Sequence, residues 1–203
     1  MSRRVVLVDS GGSNLGSVQA ALRRLGVEAP VTSDWDTIAA ASHVLLPGVG
    51  AAPAAMQILH GHDLVRRLPS LRQPVLGVCV GVQLLFERSA EGPVPCLGVL
   101  PGQVQRLTSA PGLRIPHMGW NRLRTLRPHP LTEGLEGQYA YFVHSYAAPV
   151  GPDTLAECRH GSAFSAVVAQ GNFMGAQFHP ERSGPAGGRL LSNFLAMEGP
   201  CPC

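Results

Sequence analysis

Hydrophobic positions in the first half of the chain alternate between short β-branched runs and stretches with helical spacing. Short apolar runs bounded by turn residues indicate buried strands, and apolar residues recurring every three or four positions indicate helices. Asn14 is a suitable N-cap, and Gly26 ends the helix that follows it. The predicted strands are 4–8, 27–31, 43–46 and 74–79, and the predicted helices are 14–25, 34–40, 52–68 (with a break near Gly61) and 82–88.

From residue 93 the pattern changes to short strands separated by Gly and Pro turns. The predicted strands are 98–100, 104–107, 139–145, 154–158, 166–169 and 173–178, and a final helix covers 187–197. This order predicts an α/β fold with three layers, in which a mostly parallel central sheet has helices on both faces. The C-terminal half adds antiparallel strands. Without repeats or a long linker, residues 1–203 are expected to form a single domain.

Composition excludes several classes of function. The 203 residues are 45% apolar, which is sufficient for one substantial core, and a net charge of +3 is too small to indicate nucleic-acid binding. The five cysteines do not form an even disulfide framework, and Asp9 interrupts the first apolar run, so no secretory signal is expected. We therefore expect a cytoplasmic protein with free thiols.

Residues 37–59 contain no charged side chain and are long enough to cross a bilayer. Pro47, Gly48, Gly50 and Pro53 lie inside this segment and would disrupt a membrane helix. The segment therefore favours strand, loop and helix over a membrane span.

Cys79 is the most informative residue, because it lies between Gly77 and Gly81 where a predicted strand meets a predicted helix. A nucleophile flanked in this way can be exposed on a sharp turn, with glycines that tolerate strained backbone and leave room for substrate. The first amides of the following helix would stabilise a thiolate. The alternative is a buried cysteine that acts as a small hydrophobic residue.

Two other segments complete a candidate site. His179 and Glu181 flank Pro180, which keeps His179 extended, so that both side chains face the same side and Glu181 orients His179 as the base for Cys79. Val49 and Gly50 follow a buried strand in a Pro-Gly-Val-Gly turn, and their amides with that of Val80 can form an oxyanion hole. Each segment alone is an ordinary strand end or turn, and only their combination is specific.

No metal site and no cofactor are expected. The histidines are scattered along the chain, and Cys201 and Cys203 have a spacing that suits neither a zinc site nor a redox motif, which favours a frayed tail.

The combined motifs resemble the class I, triad-type glutamine amidotransferases. The resemblance covers essentially the whole chain and rests on residues 47–50, 77–86 and 177–183. Residues 9–15, 117–121 and 141–146 further resemble the glutaminase subunits of imidazole glycerol phosphate synthases. The chain differs from the usual pattern at residues 51–55, at Val80 and Val82, and at Arg182, where lysine is frequent.

The resemblance implies an enzyme in which Cys79 attacks the carboxamide of L-glutamine, with His179 and Glu181 completing the triad. It implies substrate binding by Gly50, Gln83 and the backbone around His144, Ser145 and Tyr146. Ammonia would pass to a separate cyclase subunit of the (β/α)8-barrel type, which makes imidazole glycerol phosphate and an aminoimidazole carboxamide ribonucleotide in histidine biosynthesis. The residues that match positions at the subunit interface are Asn14, Trp120, Tyr141 and Arg182.

Three alternatives stay open from the sequence. The chain can be the glutaminase subunit of another amidotransferase, or a stand-alone cysteine hydrolase on the same fold. It can also be a regulatory partner with a vestigial triad, although the intact Cys79, His179 and Glu181 argue against this.

Overall fold

The structure is a computed structural model that describes residues 4–12, 14–109 and 112–197. Ser13 and the Cys201 to Cys203 tail therefore lie outside the described residues. Within the described part, the α-helices are α1 (Leu15–Arg24), α2 (Trp35–Ala39), α3 (Ala52–Gly61), α4 (Leu64–Arg67), α5 (Val80–Leu84) and α6 (Gly184–Leu195). The strands are β1 (Val5–Val8), β2 (Val31–Thr32), β3 (His43–Gly48), β4 (Val75–Cys79), β5 (Phe86–Ser89), β6 (Val94–Pro95), β7 (Leu100–Arg106), β8 (His117–Arg122), β9 (Arg124–Thr125), β10 (Tyr139–His144), β11 (Tyr146–Ala147), β12 (Thr154–His160), β13 (Ser162–Gln170) and β14 (Phe173–Ala176).

The largest sheet in the described part has eight strands in the order β2-β1-β3-β4-β14-β13-β12-β9. Strands β2, β1, β3, β4 and β14 run parallel, and the sheet continues antiparallel from β14 to β9. The residues of β1, β3 and β4 are all buried, as expected for the centre of a sheet that is covered on both faces. The predicted α/β class with antiparallel additions in the C-terminal half is confirmed.

Two smaller sheets lie beside the large one. Strands β11, β7, β5 and β6 form one of them, and β10 pairs antiparallel with β8 in the other. In the β8–β10 pair, Tyr141 lies opposite Trp120 and His144 lies opposite His117. This pair carries several of the residues that the sequence singled out.

The clearest local difference from the sequence prediction concerns residues 82–88, which were expected to continue one helix. Helix α5 covers only Val80–Leu84, and the chain then enters β5. β5 pairs with β6 and β7, so long-range pairing in a second sheet determines this segment. The strand predicted at 27–31 is displaced, because β2 covers only Val31–Thr32, which pairs with β1. The predicted break near Gly61 is confirmed, since α3 ends there.

The parallel neighbours β3, β4 and β14 place their carboxyl ends at the same edge of the large sheet. β3 ends at Gly48, β4 ends at Cys79, and the chain leaves β14 shortly before His179. Ligands of α/β proteins commonly bind at this edge. None of the helices in the described part is long and apolar enough to span a bilayer.

Candidate active site

Cys79 is the last residue of β4 and comes immediately before α5. Its backbone is strained, with φ of 55° and ψ of −112°, a conformation that residues with side chains rarely adopt. The residue is only 4% exposed, and its Sγ lies 3.9 Å from the carbonyl oxygen of Val143 in β10. The predicted sharp strand-to-helix turn therefore exists at this cysteine.

Gly77 and Gly81 are required beside Cys79 for a reason that differs from the predicted one. They do not carry the backbone strain, which falls on Cys79 itself. A Cβ atom at Gly81 would lie 1.7 Å from the carbonyl oxygen of Leu46, and one at Gly77 would lie 2.7 Å from backbone atoms of Gly81. Both glycines therefore allow α5 to approach β3 and β4 closely, which holds the turn at Cys79 in place.

His179 and Glu181 form an ion pair beside this turn. His179 Nδ1 lies 2.7 Å from Glu181 Oε1, and the two side chains are 7% and 1% exposed. His179 is extended, as predicted from the proline after it. Glu181, however, lies in a 3-10 turn over Pro180–Arg182, so the turn brings the two groups together and the predicted alternation along a strand is wrong.

The pKa values of this pair favour a charged histidine. Burial alone lowers the pKa of His179, but hydrogen bonds and electrostatic attraction to the Cys79 sulfur and to Glu181 raise it to about 10. Burial alone would raise the pKa of Glu181, but the hydrogen bond and positive charge of His179 and the hydrogen bond from Asn14 lower it. An imidazolium flanked by a sulfur and a carboxylate is the state expected of a Cys-His-Glu arrangement.

Backbone contacts fix the position of His179. Its amide donates to the carbonyl oxygen of Tyr141 at 3.0 Å. The buried Ser183 hydroxyl donates to the carbonyl oxygen of His179 at 2.7 Å and accepts from the amide of Tyr141 at 2.9 Å. A Cβ atom at Gly187 would lie 1.9 Å from the carbonyl oxygen of Pro180, so α6 packs directly against the same turn.

Asn14 contacts the ion pair, which the sequence did not predict. Its side chain does not cap α1. Instead, its Nδ2 donates to Glu181 Oε1 at 2.5 Å and lies 3.4 Å from His179 Nδ1. Asn14 is the N-cap residue of α1 as predicted, but its side chain makes no capping hydrogen bond and is directed to the buried carboxylate instead.

A cavity of about 280 Å³ opens beside Cys79 and His179. Such a volume suits a small metabolite, since cavities for drug-sized ligands usually measure about 300–1,000 Å³. The other lining residues include every residue that the sequence analysis proposed for the oxyanion hole or for substrate binding; these are Val49, Gly50, Val80, Gln83, His144, Ser145 and Tyr146. Their individual roles stay predictions.

Gln83 is held rigidly in the wall of this cavity. Its Nε2 donates to the carbonyl oxygen of Tyr146 at 2.9 Å and to Gln177 Oε1 at 3.1 Å. Its own Oε1 is buried and has no hydrogen-bond partner among the described residues. Its two hydrogen bonds therefore hold the Gln83 side chain in one orientation in the cavity wall.

Glu91 also lines the cavity, although no sequence motif indicates it. Glu91 Oε2 accepts the amide of Ala52 at 2.9 Å, so its carboxylate is held near the start of α3. A single acidic residue in a turn between β5 and β6 has no motif around it. Its place in the cavity wall follows from tertiary packing, which brings the turn between β5 and β6 against the start of α3.

Three of the four predicted interface residues form one surface cluster. Trp120 is 56% exposed, and its ring centroid lies 5.8 Å from that of Tyr141. The guanidinium carbon of Arg182 lies 6.0 Å from the centre of the Tyr141 ring. Met118 and Tyr139, at 65% and 58% exposed, extend the same apolar surface. Asn14 is instead half-buried at the His179–Glu181 pair.

The described residues, 4–12, 14–109 and 112–197, contain no group of three or more His, Cys, Asp and Glu side chains that can hold a metal ion. Cys79, Cys96 and Cys158 are free thiols.

Comparisons with known proteins agree on one family. The family described as Glutamine amidotransferase class-I matches residues 6–197. The chain is 56% identical over 195 residues to a protein from Xylella fastidiosa named imidazole glycerol phosphate synthase subunit HisH, covering 96% of this chain and 98% of that one. It is 56% identical over 197 residues to a protein of the same name from Xanthomonas oryzae, covering 97% and 98%.

Solved structures share the fold. A crystal structure of a glutamine amidotransferase superposes with a TM-score of 0.73 at 24% identity, covering 94% of this chain and 96% of that one. The structure of PurLQS from Thermotoga maritima superposes with a TM-score of 0.70 at 21% identity, covering 96% and 98%.

Proposed function

Because the chain belongs to the class I glutamine amidotransferase family, we propose that it is the glutaminase subunit of an imidazole glycerol phosphate synthase. It hydrolyses L-glutamine to L-glutamate and ammonia, and residues 1–203 act as one amidotransferase domain. The observation that carries this proposal is the Cys79, His179 and Glu181 arrangement beside a cavity lined by Gln83 and Glu91.

The first step forms a thioester. The Cys79 thiolate attacks the carboxamide carbon of glutamine, and the carbonyl π electrons move to oxygen. The amides of Gly50 and Val80, with that of Val49, are proposed to stabilise this oxyanion. The His179 imidazolium then gives its proton to the amide nitrogen, ammonia leaves, and a γ-glutamyl thioester remains on Cys79.

The second step releases glutamate. The neutral His179 takes a proton from water, whose oxygen attacks the thioester carbon, and the sulfur leaves as a thiolate beside the restored imidazolium. Glu181 keeps the Nδ1 proton of His179 in place through the hydrogen bond of 2.7 Å, so that Nε2 is free for these transfers. No cofactor is needed for either step.

Recognition of the amino-acid end of glutamine is proposed from the charges of the cavity. Glu91 is the acidic residue of the cavity wall outside the His179–Glu181 pair, and it is positioned to bind the α-ammonium group of the substrate. The backbone of His144, Ser145 and Tyr146 is proposed to hold the α-carboxylate.

Glu91→Gln is expected to raise KM for glutamine about tenfold to a hundredfold with little change in kcat. The variant keeps the acceptor for the Ala52 amide but removes the charge that pairs with the substrate ammonium. Steady-state kinetics of glutamate release in the cyclase complex measure this. Glu87→Gln is the matched control, since Glu87 accepts the amide of Gly102 at 3.0 Å on the exposed side of β5. Equal KM values for wild type and Glu91→Gln would reject this role for Glu91.

The partner is proposed to be a cyclase subunit of the (β/α)8-barrel type. The apolar surface of Met118, Trp120 and Tyr139, with Tyr141 and Arg182 beside it, has the aromatic and Met-rich character of an interface. This surface lies next to the triad, because the amide of His179 bonds to the carbonyl oxygen of Tyr141. Direct transfer favours the reaction, since ammonia released into neutral water becomes ammonium, which has no lone pair for attack.

The experiment that tests this function is reconstitution. The purified chain is mixed with a cyclase subunit, its nucleotide substrate and glutamine, and both glutamate and imidazole glycerol phosphate are measured. We expect equal amounts of the two products, and a slower release of glutamate without the cyclase. Absence of glutamate, or glutamate with no imidazole glycerol phosphate, would contradict the proposed function.

A further inference from the structure

A second pair of buried histidines lies beside the candidate active site and takes no part in the proposed chemistry. His117 in β8 and His144 in β10 are 4% and 6% exposed and are cross-strand neighbours. His117 Nδ1 lies 3.1 Å from His144 Nε2. Buried imidazoles in direct contact need a defined arrangement of protons, because two donors or two acceptors facing each other would be unfavourable.

The contact between His144 and Tyr146 defines the arrangement of protons. His144 Nδ1 lies 2.9 Å from the carbonyl oxygen of Tyr146, which can only accept. His144 Nδ1 therefore carries the proton, and in the neutral ring Nε2 is an acceptor. His117 Nδ1 must then donate to it.

The contact between His117 and Asn121 independently gives the same positions for the protons. With its proton on Nδ1, His117 must accept at Nε2, and Asn121 Nδ2 donates to that atom at 3.3 Å. The orientation of the Asn121 amide is itself fixed by the backbone. Its Nδ2 donates to the carbonyl oxygen of Arg159 at 2.9 Å, and its Oδ1 accepts the amide of Arg122 at 2.8 Å. All hydrogen bonds therefore run in one direction, from Asn121 through His117 and His144 to Tyr146.

The surroundings keep both rings neutral. Burial, and then the charge of the neighbouring His160, lowers the pKa of His117 to about 4. Burial also lowers the pKa of His144 to about 3. His117 is stacked between Phe142 and His160, with ring centroids 5.0 Å and 4.2 Å away, so its ring has little freedom to turn.

The chain of hydrogen bonds ends in the wall of the cavity. The carbonyl oxygen of Tyr146 accepts from both His144 Nδ1 and Gln83 Nε2, so both of its lone pairs are used. Ser145 and Tyr146 line the cavity beside Cys79. The segment that is proposed to hold the amino-acid end of glutamine is therefore fixed from behind by His144, and His144 is fixed by His117.

We propose that His117 is a positioning residue for glutamine binding, which donates to His144 Nε2 and so keeps the Nδ1 proton of His144 directed at the Tyr146 carbonyl oxygen and the Ser145–Tyr146 backbone in place. The proposal rests on the proposed glutaminase function. It also gives β8 a second role. The exposed side of this strand carries Met118 and Trp120, while its buried side reaches the substrate segment through His117.

Variants at residue 117 separate positioning from stability. His117→Leu removes the donor to His144, and we expect KM for glutamine in the cyclase complex to rise about tenfold while kcat changes less than twofold. His117→Asn keeps a side-chain N–H close to the position of Nδ1 and is expected to restore most of this loss. His160→Phe is the matched control, because it keeps the stacked ring on His117 but lies outside the hydrogen-bond chain. Its KM is expected to equal that of the wild type.

Nitrogen-15 NMR of histidine-labelled chain in the complex gives a readout that does not depend on catalysis. We expect both His117 and His144 to carry their proton on Nδ1 at neutral pH, and the His144 signal to change in His117→Leu but not in His160→Phe. A proton on Nε2 of His117, or an unchanged KM in a folded His117→Leu variant, would overturn the proposal. If His117→Leu does not fold, the KM of His117→Asn and the nitrogen-15 signals of His117 and His144 in the wild type test the proposal instead. A wild-type complex that does not hydrolyse glutamine would instead reject the proposed function.

Discussion

Replacing Cys79 with serine is expected to reduce glutamine hydrolysis at least about 1,000-fold, because a hydroxyl beside His179 is a far weaker nucleophile than a thiolate. The fold should persist, since serine differs by one atom at a 4% exposed position and the flanking glycines keep α5 close to β3 and β4. The cyclase should keep its activity with added ammonium salts. Loss of that activity as well would indicate a damaged complex.

Cys96→Ser is the matched control for this variant. Cys96 is half-buried, and burial raises the pKa of its thiol to about 11, so it is an unreactive thiol away from His179. Glutaminase activity in Cys96→Ser should equal that of the wild type. Retained hydrolysis in Cys79→Ser, measured as glutamate release, would reject Cys79 as the nucleophile.

Glu181→Gln is expected to lower kcat about 100-fold without a comparable loss of folding. Glu181 Oε1 accepts hydrogen bonds from both His179 and Asn14, and its Oε2 is buried without a partner among the described residues. If the glutamine oxygen replaces Oε1, an NH2 group is buried without an acceptor. If the NH2 group faces His179, the imidazole proton must move to Nε2, which removes the base that faces Cys79.

The pH dependence gives this variant a second readout. The charge of Glu181 contributes to raising the pKa of His179, so its removal must lower that pKa. His179 must be protonated to assist the departure of ammonia, and the alkaline limb of the kcat/KM profile should therefore move to lower pH. Glu157→Gln is the control, since Glu157 is a buried carboxylate that pairs with Arg124 at 2.7 Å on the far strands of the large sheet. A Glu181→Gln variant with the kcat and profile of the wild type would contradict the triad.

Local sequence patterns are sufficient to predict the central parallel strands of the large sheet. Strands β1 and β4 and most of β3 are apolar runs, and the Gly-x-Cys-x-Gly segment indicates a strand-to-helix turn at Cys79. Residues 82–88 were misassigned because an apolar run is compatible with both helix and strand, and only pairing with β6 and β7 decides between them. The role of Gly77 and Gly81 in close packing also depends on the backbone of neighbouring elements, which the sequence does not reveal.

The contacts that complete the site join distant positions. Asn14 and Glu181 are 167 residues apart, Ala52 and Glu91 are 39 apart, and His117 and His144 are 27 apart. None of these pairs has a fixed spacing that a motif could encode. Asn14 shows the consequence, because its position before α1 predicts an N-cap while the fold directs its amide to the buried carboxylate.

The proposed mechanism requires that Cys79 forms a covalent bond with the carboxamide carbon of glutamine. The most direct measurement mixes the cyclase complex with glutamine, quenches it with acid during turnover, and identifies modified peptides by mass spectrometry. We expect one γ-glutamyl group on the peptide that contains Cys79, and none on the peptides that contain Cys96 or Cys158. A complex that turns over glutamine with Cys79 unmodified, or with the γ-glutamyl group on another residue, would contradict it.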